Sequence, residues 1–181
     1  GQQCMLTFPD RTKITLSNDG YEARTAPERT VYVIMSFLDN PQIRSFDFGA
    51  IGDMEAHPAG YIEKHYQRWN GYLGKVLRSD MPEEYNRIAV KAVVTLISNW
   101  RSSRAGLLHE GVVPSHAVGY FMGFWAWDSW KHAVALSWFE PELAKNQVRA
   151  MFDYQTPEGM IIDCIYTDIR ENNARDSKPP F

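Results

Sequence analysis

The sequence predicts a mixed α and β protein of more than one domain. Two observations carry this. Residues 1–39 alternate apolar and polar side chains around hairpin chemistry, and from Pro58 onward apolar residues recur at three-and-four spacing in successive blocks. A turn-rich stretch separates the two, so the chain divides into strands over 1–39, a linker with a helix over 40–80, and an array of helical hairpins over 81–181.

The strand region reads element by element. Cys4, Leu6 and Phe8 alternate with polar or smaller neighbours, as do Thr12, Ile14 and Leu16. Ser17-Asn18-Asp19-Gly20 is a hairpin turn before Tyr21. Thr30 to Leu38 is apolar on both faces and predicts a buried strand. Four strands with no local closing partner read as the end of a larger sheet.

The segment 40–57 is rich in turn residues, with Pro41 and two glycines. Pro58 suits the first turn of a helix whose face is Ile62, Tyr66, Trp69, Leu73 and Val76, weakened near its end by Gly71 and Gly74. Ser79-Asp80 with Pro82 and Glu83 signals the next helix, with Tyr85, Ile88, Ala89, Ala92, Val93, Leu96 and Trp100 on its apolar side. Residues 101–124 break the pattern with Gly106, Gly111, Pro114 and Gly119, and a loop this long inside a compact domain is a functional candidate. Glu140-Pro141 stops one helix and opens another, with Ala144, Val148, Met151 and Phe152 in register. The tail from Thr156 is loop-like.

The stretch Gly119 to Phe139, GYFMGFWAWDSWKHAVALSWF, places four of the six tryptophans around one carboxylate, Asp128. Asp128 falls at a loop-to-helix junction, where an aspartate serves as a helix cap. Three nearby indoles, Trp125, Trp127 and Trp130, add what a cap does not need: aromatic faces for the C–H side of a sugar ring beside an acceptor for its hydroxyls. Trp127, Trp130, Val134 and Trp138 share one helix face, so Trp130 and Trp138 read as packing.

Composition narrows the function. At 181 residues and 44 % hydrophobic content the chain can bury a real core. A net charge of −3 with interspersed signs offers no basic stripe for nucleic acid and no polybasic membrane patch. No apolar run approaches the ~20 residues of a membrane helix, and the opening GQQCMLTFPD lacks signal-peptide regions. Cys4 and Cys164 fit two thiols or one disulfide.

His109, Glu110 and His116 invite a metal, but Gly111 and Pro114 forbid the single helix that such spacing requires, so no metal site is expected. No nucleophilic-serine, P-loop or dinucleotide motif occurs. The carboxylates beside aromatics remain: Asp128, and Asp163 in GMIIDCIY, the latter also readable as an ordinary loop or cap residue. Glycoside hydrolysis needs two carboxyl groups, about 5 Å apart for retention and about 6.5–9.5 Å for inversion.

The run from Gly111 to Tyr166 with its WDSWK box, the PELAKNQVRAMFDYQ helix and the closing SKPP resembles glycoside hydrolase family 63, the processing α-glucosidase I family, and looks very like its bacterial glucosidase member. The resemblance extends over essentially the whole chain. It implies the end of a β super-sandwich, a helical linker, and the first hairpins of a catalytic (α/α)6 toroid. It further implies an inverting exo-α-glucosidase that releases glucose from the non-reducing ends of α-linked oligosaccharides.

In that family the general acid and base come from later toroid segments, so the resemblance makes the chain a fragment, inactive alone, with no catalytic residue before Phe181. Its partner is then the remainder of the same enzyme. Asp128 and Trp125, with Trp127 and Asp163, become the binding pocket for the terminal glucose. Two other readings stay open: Asp128 as the general acid, its proton affinity raised by the indoles, and the piece as a sugar-binding or scaffold element without turnover. The resemblance also implies a periplasmic location; no cofactor is expected in this segment, and whether the full protein holds calcium elsewhere lies outside these residues.

Overall fold

The computed structural model describes residues 2–27, 30–39 and 48–174, and the chain divides into two compact units, Gly1–Gln67 and Arg68–Phe181. The protein is mixed α and β, with helices and small antiparallel sheets.

In the first unit, β1 (Gln2–Thr7) pairs antiparallel with β4 (Ile34–Asp39), and β2 (Lys13–Ser17) pairs with β3 (Gly20–Arg24) across the expected Ser17–Gly20 turn. The buried strand expected over Thr30 to Leu38 is corrected twice. It begins only at Ile34, and Val31, Tyr32, Val33, Met35 and Phe37 are all exposed. An unbroken apolar run reads the same whether a strand is sandwiched or stands at an edge, and here the described residues of β4 have β1 as their one strand partner.

A second correction falls in the segment read as turns. Residues 40–47 lie outside the described part, but Phe48–Ala56 form helix α1. Ile51 is buried, and Asp53 accepts from Tyr61 Oη at 2.6 Å and lies 3.1 Å from His57 Nδ1, which ties α1 to the next helix. Those tertiary ties outweigh the helix cost of Gly49 and Gly52.

Helix α2 (Pro58–Val76) begins where Pro58 predicts. Within the second unit its Trp69, Tyr72, Leu73 and Val76 pack against a core of Val93, Val112, Leu136, Phe139, Leu143 and Ala144. Helix α3 runs over Glu83–Ser98, with Pro82 at its N-cap rather than Ser79 or Asp80; Asp80 is instead paired with Arg78 at 2.6 Å. Of its expected apolar face only Val93 is buried, while Tyr85 and Ile88 face solvent.

Two-stranded ladders then punctuate the long loop: β5 (Trp100–Arg101) with β6 (Gly111–Val112), and β7 (Phe124–Trp125) with β8 (Cys164–Ile165). Helices α4 (Ala126–Leu136) and α5 (Pro141–Phe152) form a hairpin broken at Glu140-Pro141, as expected. A second core cluster lies beneath the loops, joining Leu107, Val113, Phe124, Ala126, Ala150, Met151, Ile162 and Ile165. Gly123 lets β7 approach β8: a Cβ there would come within 2.5 Å of Cys164 Sγ and 2.9 Å of the Ile165 carbonyl.

The orientation of α4 also departs from expectation. Its buried residues are Ala126, Ser129, Ala133 and Leu136, whereas Trp127 and Val134 are exposed, as is Trp138 in the turn beyond its end, by 76 %. Trp130 and Val134 line an apolar groove of about 830 Å³ with Ala133, Pro141, Ala144 and Val148. The indoles gave the outer face the stronger apolar signal, but small residues allow the close approach of α5.

Candidate sugar-binding site

The site is built where α4 leaves the β7–β8 ladder. Trp125 pairs with Cys164 in that ladder, and the Ala126 amide donates to the Asp163 carbonyl at 2.8 Å. A residue far along the chain is thereby set beside the first turn of α4. The loop end is closed by Asn173: the Asp163 amide donates to its carbonyl at 2.8 Å, and its side-chain amide donates to Asp163 Oδ2 at 3.4 Å. Asp163 is 5 % exposed, which makes it a buried carboxyl rather than a surface loop residue.

Asp128 lies in the first helical turn, third from the helix start. The N-cap position belongs to Trp125, with no side-chain cap bond, so the capping role considered for Asp128 does not apply. Asp128 is half-buried, and burial pushes its carboxyl above the ordinary range; the nearby Asp163 carboxylate pushes in the same direction. His132, Lys131 and its own backbone amide act against that rise.

The aromatic residues sort into different roles. Trp125 is held in place: its indole N–H donates to the Tyr120 carbonyl at 2.9 Å, and Phe121 meets its ring edge-on at 6.3 Å. The Tyr166 hydroxyl donates to the same Tyr120 carbonyl at 2.6 Å. Tyr166 also lines a cleft of about 750 Å³ with Arg101, Met122, Tyr154, Thr167 and Ile169. Trp127 is 44 % exposed, with the Lys131 ammonium 4.6 Å from its ring centre. Trp130 packs on the loop core and meets Phe152 edge-on at 6.4 Å, so it is a packing residue.

The histidines named with Glu110 diverge. His109 Nδ1 sits 2.8 Å from Asp153, Glu110 accepts from Trp100 and Asn146, and His116 approaches the Trp100 carbonyl. Glu110 and His116 thus meet the same residue, Trp100, through its indole N–H and its carbonyl, while His109 is held by Asp153.

Reading the sequence alone missed two residues behind the site. His132 lies one turn beyond Asp128 on α4; the i, i+4 spacing within WDSWKH was the available signal. Gln147 on α5 is fully buried, where it accepts from the Val112 amide and donates to the Ser129 hydroxyl at 2.8 Å. A glutamine in register with Leu143, Ala144 and Met151 was its signal. Gly111 gives it room, since a Cβ there would lie 2.7 Å from Gln147 Oε1.

Residues 121–180 match the family model of the mannosylglycerate hydrolase MGH1-like glycoside hydrolase domain. The matched stretch contains Trp125, Trp127, Asp128 and Asp163. That stretch is similar to a glycoside hydrolase domain.

Proposed function

We propose that these residues belong to an inverting exo-α-glucosidase in which they form the pocket for the terminal, non-reducing glucose. The observation that carries the reading is a half-buried Asp128 in the first turn of α4, whose Ala126 amide donates to the carbonyl of the buried Asp163, inside the stretch similar to a glycoside hydrolase domain. Asp128 accepts from glucose hydroxyls, Trp125 offers an aromatic face to the ring, and Trp127 and Asp163 border the pocket. Binding energy from these contacts holds the glucosyl ring while an acid and a base supplied by other parts of the enzyme act on the bond.

The architecture proposed around the pocket is the end of a β super-sandwich, a helical linker, and the opening hairpins of an (α/α)6 toroid. The apolar groove along α4 and α5 supports it, because a further hairpin stacked there would bury Trp130, Val134 and Val148. A periplasmic setting is part of the same proposal.

The test is hydrolysis by the full-length protein of a series of α-glucosides and α-mannosides, with the first-formed anomer read by proton NMR. β-Glucose released first from an α-glucoside supports the reading. Preference for mannosides overturns the glucose assignment, and first-formed α-glucose overturns inversion. Asp128→Asn is expected to weaken glucose binding at least about tenfold, because one charged hydrogen bond contributes roughly 1.5–3 kcal/mol.

A further inference from the structure

The cleft lined by Arg101, Tyr154 and Tyr166 contains none of the residues assigned to the sugar pocket, and it holds a cation without a counter-charge. Arg101 ends β5, where it pairs with Gly111, and is half-buried. Its Nη1 donates to the Met122 carbonyl at 2.6 Å, and among the described residues no carboxylate forms an ion pair with it. Burial, and then the like charge of Arg104, push its guanidinium below the ordinary range. A guanidinium carries five N–H donors in a planar fork, so one carbonyl leaves most of them to water or a ligand.

The walls around it are tied down by backbone bonds. The Tyr154 hydroxyl donates to the Gly106 carbonyl at 2.7 Å, and the Tyr166 hydroxyl to the Tyr120 carbonyl at 2.6 Å. The Gly106 amide donates to the Thr167 carbonyl at 2.9 Å, and a Cβ on Gly106 would come within 2.6 Å of Ile169 Cγ2. Thr167, which lines the same cleft, has a buried hydroxyl with no hydrogen-bond partner among the described residues. The volume of about 750 Å³ suits a small molecule.

Charge and shape narrow the choice of ligand. Two carboxylates also line the cleft: Asp168 is paired with Arg170, and Glu171 lies near Arg170 and Tyr166. They weigh against a doubly charged phosphate, whereas a single carboxylate matches the Arg101 fork edge to edge. Met122, Ile169 and the two phenol rings offer an apolar bed for the remainder of such a molecule.

We propose that this cleft is a second ligand site, which takes a small carboxylic acid with a flat apolar body. The carboxylate sits on the Arg101 guanidinium, and the body lies against Met122, Ile169 and the rings of Tyr154 and Tyr166. The site is separate from the Asp128 pocket and does not rest on the sugar reading.

Calorimetry on the full-length protein at fixed ionic strength tests this, with benzoate as the probe, benzamide as its neutral counterpart and inorganic phosphate as the more highly charged anion. Benzoate is expected to bind with a dissociation constant on the order of 1 mM, as for a fragment of its size, and at least about tenfold tighter than benzamide or phosphate. Arg101→Gln should abolish the preference for benzoate over benzamide. Asp128→Asn should bind benzoate within about twofold of wild type, the scatter ordinary for an independent site. If Arg101→Gln does not fold, wild type still decides: nuclear Overhauser contacts from the benzoate ring protons to the Ile169 methyl groups and the Tyr154 and Tyr166 rings are expected. Their absence in a saturated sample overturns the site, as does a failure of benzoate to bind. Equal binding of benzoate and benzamide overturns the role of Arg101, and phosphate bound tighter than benzoate overturns the carboxylic acid. Loss of benzoate binding in Asp128→Asn overturns the separation of the two sites.

Discussion

The Gln147 side-chain amide donates to the Ser129 hydroxyl across 2.8 Å, with both residues fully buried between α4 and α5. The glutamine oxygen also accepts from the Val112 amide, so one side chain joins two helices to β6. This knot lies on the face of α4 opposite the exposed indoles and fixes the helix that carries Asp128 and His132.

Gln147→Leu should therefore destabilise the protein by about 2–6 kcal/mol, because it leaves a buried hydroxyl and a buried amide unsatisfied, each worth about 1–3 kcal/mol. Chemical denaturation monitored by tryptophan fluorescence measures this. A loss below about 1 kcal/mol would mean that the knot contributes little.

Burial gives Asp128 opposite effects on binding and stability. A carboxyl whose folded pKa is raised contributes stability below its unfolded pKa, and that contribution is lost as pH rises through the folded value. At pH 7 the charged Asp128 therefore costs stability, and Asp128→Asn should melt slightly higher than wild type while binding sugar worse. The gain is small because the residue is half open to solvent. Melting curves recorded from pH 7 down toward pH 4 should converge, and a variant less stable at pH 7 would contradict the sign.

The outward and inward sides of α4 and the turn that follows it should differ sharply under mutation. Trp138→Gln should change stability by no more than about 0.5 kcal/mol, as for a surface site, whereas Leu136→Ala should cost about 2–5 kcal/mol. Equal losses at both positions would restore the indole face as the core.

The two cysteines should react at different rates. Cys4 is exposed, while Cys164 is buried and its thiol is pushed up to about 12, with burial as the main cause. Treatment of the native protein with a maleimide at pH 8 should label Cys4 first and Cys164 only on unfolding, as read by peptide mass spectrometry. Early labelling of Cys164 would indicate that the β7–β8 ladder opens readily.

Local chemistry alone determined much of this protein. The Ser17–Gly20 turn, the start of α2 at Pro58 and the break at Glu140-Pro141 depend on residues within a few positions of one another, and each is visible as a short pattern. So is the concentration of tryptophan around Asp128, the residue on which the sugar-pocket reading depends. Apolar content, however, does not say which face of α4 turns inward. That was decided by the approach of α5, which needs Ala133, Leu136 and the Ser129–Gln147 bond on the inner side and leaves Trp127 and Trp138 outside. The neighbours of Asp128 were likewise undetermined until Trp125 paired with Cys164, because a two-residue ladder between distant segments has no local signature. Only that pairing, closed by Asn173, sets Asp163 beside the helix start and gives the carboxylate the buried, charged surroundings that control its proton.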